Sequence, residues 1–281
     1  MSTLGDRMKQ YEDVYNLVVP ASMPFLIRLD GRNFSKFTAG FQKPFDENFI
    51  LAMLATAKDL IGKFTISSAY CHSDEITAVF PPSPNHEFGG RLIKICTLLA
   101  GYASARFNYH LVEIVKLSNA YKPETLERIL RQEACFDARP LVFENPPQPT
   151  EEQARLYQEK NGKPLIVTSE TELVNHMVWR SRDDCFRNCI QTYARQYYSE
   201  KQLFKVNVSG MIQMLKEKNI LVEDIPLHLK NGYYVKRRQV DGKTLVEERT
   251  IVIGDGQHCH IKVNGMPFDD VPALLFARYW P

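Results

Sequence analysis

Apolar positions along this chain switch between two spacings, and the switches mark its elements. Residues 24–30 (PFLIRLD) form a short apolar run that stops in a polar loop, the pattern of a buried strand. From residue 47 to 60, apolar side chains at Phe49, Ile50, Met53, Leu54, Ala57, Leu60 and Ile61 recur at helical spacing, with Gly62 as the stop. Residues 67–70 and 76–80 predict two strands around the polar tetrad His72-Ser73-Asp74-Glu75, and Pro81-Pro82 ends the second. A second apolar helix is predicted over 91–107, and residues 135–143 (CFDARPLVF) supply a further strand. The order β-α-β-β-α-β is the split ferredoxin-like arrangement of an α/β (α+β) domain. It leaves residues 108–134 as an insertion.

The Pro-rich segment 145–149 (NPPQP) marks a boundary, giving expected domains at 1–145 and 146–281. Beyond it, residues 170–198 predict a long helix carrying both an apolar stripe and a charge cluster, and 209–218 a shorter one. Residues 233–240 and 244–253 flank Asp241-Gly242, a strong hairpin signal. The second half is therefore expected to be mainly helical with an appended β-hairpin.

Composition sets limits on this picture. With 44% hydrophobic and 24% charged residues, the chain is neither disordered, collagen-like nor a disulfide scaffold. Its net charge of +2 excludes a uniformly basic nucleic-acid binder but not a local basic stripe. Cys71, Cys96, Cys135, Cys185, Cys189 and Cys259 lack CxxC spacing and read as reduced thiols. The N-terminus lacks the apolar core of a signal peptide, and no apolar run reaches membrane-spanning length. The expectation is a cytoplasmic protein without a membrane partner, a mitochondrial location being the alternative.

Two motifs carry chemistry. Arg28-Leu29-Asp30-Gly31-Arg32-Asn33-Phe34 ends the first strand, and Ser73-Asp74-Glu75 forms the turn between the second and third. In a βαββαβ fold the first two strands run parallel, so both features open on one edge of the sheet and Asp30 should meet Asp74. Two such carboxylates suit Mg²⁺, a hard cation that keeps waters and phosphates as further ligands. Two ions of this kind clamp the attacking and leaving oxygens of phosphoryl transfer. Gly31 permits close backbone approach, and Arg28 and Arg32 can neutralise phosphate charge. The alternative is that both aspartates are ordinary turn caps.

RLDGRNF, then KPFD (residues 43–46), HSDE, FDARP (136–140), WRSRDD…RN (179–188), Pro226 and Lys230-Asn231-Gly232 resemble, in this order, the tRNA-His guanylyltransferase family over roughly residues 5–240. That resemblance implies a polymerase-palm-like catalytic domain that extends the 5′ end of tRNA. The 5′-monophosphate would be activated by ATP or GTP, and the 3′-hydroxyl of an incoming NTP would attack the activated phosphate. Pyrophosphate removal from the new end would complete the cycle. Carried over by position, Asp30 and Asp74 would hold two Mg²⁺ ions with the Gly31 carbonyl, and Glu75 would support them. Asp30, Gly31, Arg32, Asn33, Phe34, Ser35, Lys43, Ser73 and Asp74 would form the nucleotide site.

At Cys185-Phe186-Arg187-Asn188, enzymes that add one G to tRNA-His carry His-Ile-Asn-Asn. The departure resembles the Thg1-like branch, which repairs truncated tRNA 5′ ends against a template. A single-G guanylyltransferase, a catalytically silent tRNA-binding protein and a palm-based nucleotide cyclase are the alternatives. Candidate tRNA contacts are Arg28, Arg91, Lys94, Arg180, Arg187 and Asn188, the last three within a basic cluster that includes Arg182, Arg195, Trp179 and Tyr193. The interleaved Asp183 and Asp184 make a self-paired network the alternative there. Lys236 and Arg238, on one face of the hairpin, form a second candidate patch. The resemblance also implies a homotetramer. His258-Cys259-His260 is read as structural rather than as a zinc site, because nothing nearby completes four ligands.

Overall fold

A computed structural model describes residues 3–117, 120–162, 164–253, 257–258, 261–262, 266 and 270–280. Helix α1 (Leu4–Asp13) precedes strand β1 (Phe25–Gly31), and a short α2 (Phe34–Phe37) leads to α3 (Glu47–Lys63). The hairpin β2 (Ser68–His72) and β3 (Glu75–Phe80) follows, then α4 (Leu92–Val115), α5 (Pro123–Leu130) and β4 (Phe136–Val142). The second half runs through α6 (Glu151–Asn161), α7 (Ser169–Val178), a π-helical segment (Trp179–Asp184) and α8 (Cys185–Ala194). It continues with α9 (Glu200–Leu203), α10 (Val208–Lys216), α11 (Leu227–Asn231), β5 (Tyr233–Val240) and β6 (Lys243–Arg249). A small pair, β7 (Gln257–His258) and β8 (Ile261–Lys262), and α12 (Val271–Phe276) end the described chain.

The strands form one six-stranded sheet in the order β4-β1-β3-β2-β5-β6. Neighbours are antiparallel throughout, so β1 and β2, both paired to β3, run parallel to each other as the βαββαβ order predicts. Alternation along β1 feeds two cores. Phe25, Ile27 and Leu29 pack on the face covered by α3 and α4, while Leu26 joins Tyr70, Val79 and Tyr234 against α7 and α12. A third cluster packs Phe186, Cys189 and Ile190 of α8 against Met211 and Leu215 of α10.

Three expectations change. The stretch 108–134 is not an insertion: α4 continues two turns beyond the predicted end because Leu111, Val112 and Val115 prolong its buried stripe, and α5 follows. The hairpin is not appended to the helical half. It extends the sheet itself, with Ala69 opposite Val235 and Cys71 opposite Tyr233, so the chain returns to the first core after residue 145. The patch on that hairpin is structural. Lys236 is wholly buried, donates to the carbonyls of Leu274 (2.6 Å) and Ala277 (2.5 Å) at the end of α12, and is lowered by burial to about 8. Arg237 donates to the carbonyls of Ile61, Phe64 and Ile66, and Arg238 pairs with Glu247 at 3.2 Å.

Cys71, Cys96, Cys135, Cys185 and Cys189 are free thiols. Cys259 and His260, and the side chain of His258, lie outside the described residues. No helix among the described residues is long and apolar enough to cross a membrane.

Candidate active site

The end of β1 delivers the first half of the site. Asp30 stands on the sheet face opposite α3 and α4, in register with Glu75 on β3 and Asp137 on β4. The Gly31 N–H donates to the Asp74 carbonyl at 3.1 Å, and the Arg32 N–H to the Cys135 carbonyl at 2.9 Å. The strand end is thereby bonded to the β2–β3 turn, and Asp30 and Asp74 come to one edge of the sheet. Gly31 has a packing role of its own: a Cβ there would lie 2.5 Å from the buried Phe34 ring. Ser73 and Asn33 adopt left-handed φ values of 53° and 57°, conformations that non-glycine residues hold only where the surroundings enforce them.

Asp30 is held by Arg139, whose Nη2 lies 3.2 Å from its carboxylate while its Nε donates to Asp137. Asp74 accepts from the Ser73 hydroxyl at 3.1 Å. Burial raises its carboxyl pKa; its own backbone N–H opposes the rise, the Asp30 charge adds to it and the Ser73 hydrogen bond opposes it. A half-buried carboxylate beside a second one is short of positive charge, and hard oxygen donors of this kind fit Mg²⁺.

A cavity of about 300 Å³ opens next to this turn. From the predicted nucleotide set it is bordered by Phe34, Ser35, Lys43, Ser73 and Asp74. Asp30, Gly31, Arg32 and Asn33 stand outside its wall. The wall's other half lies outside that set: Thr192 of α8 and Arg195 at its C-terminal end, the latter expected in the basic cluster rather than here, with His228 from α11 and Tyr233 at the start of β5. His228 stacks on Tyr233 with ring centres 5.4 Å apart and planes 25° apart. No local pattern marks Thr192, His228 or Tyr233 for this wall, because long-range packing brings them here. His72 also borders the cavity; its Nε2 lies 3.3 Å from the Leu229 carbonyl, and burial lowers the ring to about 4, so it is neutral near pH 7. Arg139 lies within FDARP; the β1–β4 register sets it opposite Arg28, and from there its guanidinium reaches diagonally to Asp30.

The expected tRNA contacts divide. Arg91 and Lys94 are exposed at the start of α4, where Arg91 donates to the Phe88 carbonyl and Lys94 lies over the Phe88 ring. Arg28 is half-buried beside His176 on the sheet face covered by α7, and its Nε has no hydrogen-bond partner. Arg180 departs from expectation. Only 5% exposed, it is ion-paired to Glu75 and Asp184, because a buried guanidinium is tolerated only with its charge matched. It is therefore not a surface contact for RNA. Arg187 also pairs with Asp184, yet its side chain stays 55% exposed; Asn188 reaches Asp184 at 3.5 Å.

The β4-β1-β3-β2 antiparallel sheet backed by two helices is the expected ferredoxin-like arrangement, and its edge carries Asp30 and Asp74 with the cavity opening against Asp74. Residues 5–144 match the tRNAHis guanylyltransferase (Thg1) family. An uncharacterized protein of Acanthamoeba polyphaga mimivirus is 35% identical over 289 aligned positions, spanning 99% of this chain and 90% of the viral one. A bacterial tRNA(His) guanylyltransferase (Thg1)-like protein in complex with ATP superposes with a TM-score of 0.65 at 27% identity, over 87% of this chain and 91% of the other. The tRNA(His) guanylyltransferase of Saccharomyces cerevisiae shares the fold, with a TM-score of 0.58 at 21% identity over 87% and 96% of the two chains. The chain belongs to the tRNAHis guanylyltransferase family and is a nucleotidyltransferase. Nucleotidyltransferases of this family are generally metal-dependent.

Proposed function

We propose that this protein extends the 5′ end of tRNA in the 3′–5′ direction, copying a template strand within the tRNA, and so repairs truncated 5′ ends. The observation that carries this reading is the cavity against Ser73 and Asp74, at the sheet edge that Asp30 shares. The bacterial Thg1-like relative bound to ATP supports ATP as an activating nucleotide, with GTP the alternative. The replacement of the His-Ile-Asn-Asn pattern by Cys185-Phe186-Arg187-Asn188 supports the repair branch. The match to the guanylyltransferase family keeps single-G addition to tRNA-His as the second reading.

In this reading Asp30, Asp74 and the Gly31 carbonyl hold two Mg²⁺ ions, which when bound neutralise charge on the reacting phosphates. Phe34, Ser35, Lys43 and Ser73 seat the nucleotide, and the stacked His228–Tyr233 pair gives its base an aromatic wall. Arg139 keeps the Asp30 carboxylate fixed, limiting the reorganisation needed during transfer. In activation, an oxygen of the tRNA 5′-phosphate attacks the α-phosphorus of ATP and pyrophosphate leaves. In elongation, the 3′-hydroxyl of the incoming NTP attacks the tRNA 5′-phosphorus, the bond from that phosphorus to AMP breaks, AMP leaves and the hydroxyl proton passes to solvent. Watson–Crick pairing inside the tRNA selects the NTP, so the protein needs little base readout.

Residues 146–281 supply tRNA contacts through Arg187 and Asn188, while Arg91 and Lys94 meet the 5′ end or its triphosphate. A homotetramer remains part of the proposal. The apolar side chains of Leu4, Met8 and Tyr11, exposed on α1, offer surface for its contacts. Light scattering on the purified protein tests the tetramer. The test of function is 5′-end labelling of a panel of truncated tRNAs with Mg²⁺ and each NTP in turn. Templated extension of several tRNAs is expected; extension of tRNA-His alone, by one G, defeats the repair reading in favour of the second.

A further inference from the structure

Arg180 is costly where it stands. Its guanidinium is almost fully removed from water, and its Nε, buried, has no hydrogen-bond partner. Such an atom forfeits free energy that an apolar side chain would not. The remaining nitrogens are used in two directions: Nη2 meets a Glu75 carboxylate oxygen and Nη1 an Asp184 carboxylate oxygen. Asp184 is itself 4% exposed and is held from its other side by Arg187. The backbone around Arg180 is also irregular. Residues Trp179–Asp184 form a π-helical turn between α7 and α8, and the Cys185 N–H bonds back to the Arg180 carbonyl. One-turn π segments inside helices recur at functional sites.

The far end of this line is the catalytic turn. Glu75 follows Asp74 directly in sequence and sits in register between Asp30 on β1 and His72 on β2. A guanidinium that fixes Glu75 restrains the residue peptide-bonded to Asp74, and with it the backbone that carries the Asp74 side chain. Planar and forked, Arg180 bridges two carboxylates on different elements, which a point-charged lysine cannot do with the same geometry.

We infer that Arg180 is a positioning residue: anchored by Asp184 on the π turn, it holds Glu75 and thereby sets the Asp74 carboxylate for metal binding. The inference rests on the reading of Asp30 and Asp74 as metal ligands. Groups that orient metal ligands from outside the coordination shell contribute roughly 10–100-fold to metal affinity or activity.

The experiment is direct Mn²⁺ titration followed by electron paramagnetic resonance on the full-length protein without RNA, comparing wild type with Asp74→Asn, Arg180→Met and Arg180→Lys. Circular dichroism and thermal melting establish that each is folded. Arg180→Met is expected to weaken Mn²⁺ binding roughly 10–100-fold, and Arg180→Lys, which keeps a cation against both carboxylates and so protects the fold, to weaken it several-fold. In tRNA extension with saturating Mg²⁺, kcat is expected to fall for both while KM for the NTP stays within about twofold. If the Asp74→Asn protein loses Mn²⁺ but the folded Arg180 variants bind it like wild type, Arg180 is merely structural and the inference is overturned while the metal reading stands. If Arg180→Met does not fold, Arg180→Lys decides alone by the same criterion. If Asp74→Asn binds Mn²⁺ as tightly as wild type, the metal reading fails and the inference falls with it.

Discussion

The two faces of the sheet are built on opposite principles. On one face, Phe25, Ile27 and Leu29 meet α3 and α4, and the rings of Phe34, Phe49, Phe107 and Phe136 interlock at centre distances of 5.1–5.9 Å. On the other face, apolar packing around Leu26 and Val79 gives way toward Asp30 to Arg28, Thr77, Glu75 and Arg180. There Arg28 Nε, Thr77 Oγ1, His176 Nε2 and Arg180 Nε are buried without hydrogen-bond partners. Folded proteins keep few such atoms. The first face supplies stability, whereas the second gives some of it up to keep charge beside the carboxylates.

The largest effect should come from the second face. Asp30→Ala and Asp74→Ala are each expected to lower tRNA extension by about 10²–10³-fold or more, the scale on which an electrostatic partner of a transition state is lost. Both proteins should melt close to wild type, since neither carboxylate is packed in the apolar core. Rapid-quench extension assays paired with thermal melts decide it. Extension at the wild-type rate by either variant would remove that aspartate from the chemistry.

Phe107→Ala inverts the experiment. The Phe107 ring is fully buried and touches four other phenylalanines, so truncation should cost about 3–5 kcal/mol of stability. Denaturant midpoints measure the loss. Its remaining folded fraction should bind Mn²⁺ like wild type; a matching loss of metal affinity would mean that the faces are not separable.

This asymmetry explains what could be read from the sequence. The apolar face was legible because period and burial agree: Phe49, Met53, Ala57 and Leu60 mark α3, and PFLIRLD marks β1. The parallel relation of β1 and β2, and hence the meeting of Asp30 with Asp74, followed from element order alone. The polar face was less legible because its contacts are long-range. Glu75 and Arg180 lie in separate halves of the chain, and nothing local distinguishes a buried arginine from an exposed one in an alternating charge run. Lys236 misled for the same reason, since only the docking of α12 converts it from a surface cation into a cap on backbone carbonyls. The cavity wall from His228, Tyr233 and Arg195 assembles only when β5 joins β2.

A pH experiment sharpens the comparison on the polar face. His72 is buried and lowered to about 4, first by burial. The unfolded chain therefore takes up the proton before the folded one does. The stability contributed by the neutral ring is whole above about pH 6.5 and is lost as pH falls toward about 4. Between pH 7 and pH 5 the loss should reach about 2 kcal/mol. Asp74, whose raised carboxyl is protonated more readily folded than unfolded, acts in the opposite sense in the acid part of this window. Urea midpoints across the range for wild type and His72→Asn isolate the histidine: the variant should show a shallower decline, and parallel declines would sink the assignment.

The smallest effect concerns Asp46, which closes the KPFD motif and lies on the border between the two principles. Its carboxylate caps α3, accepting from the Phe49 N–H at 3.0 Å, and also accepts from the Gln42 N–H at 2.9 Å and the Tyr121 hydroxyl at 2.7 Å. It also borders the cavity. With three hydrogen bonds to satisfy inside the protein, its first task is to start the helix that carries the apolar face. Asp46→Ala should therefore cost about 0.5–2 kcal/mol and Asp46→Asn less, since an asparagine oxygen keeps the Phe49 cap while the Gln42 N–H loses its acceptor. Calorimetric ATP titration of the Asn variant separates the roles. Unchanged affinity places Asp46 with the scaffold. Weakened affinity at unchanged stability would show that its charge acts on the nucleotide, and would move the motif to the face that gives up stability for chemistry.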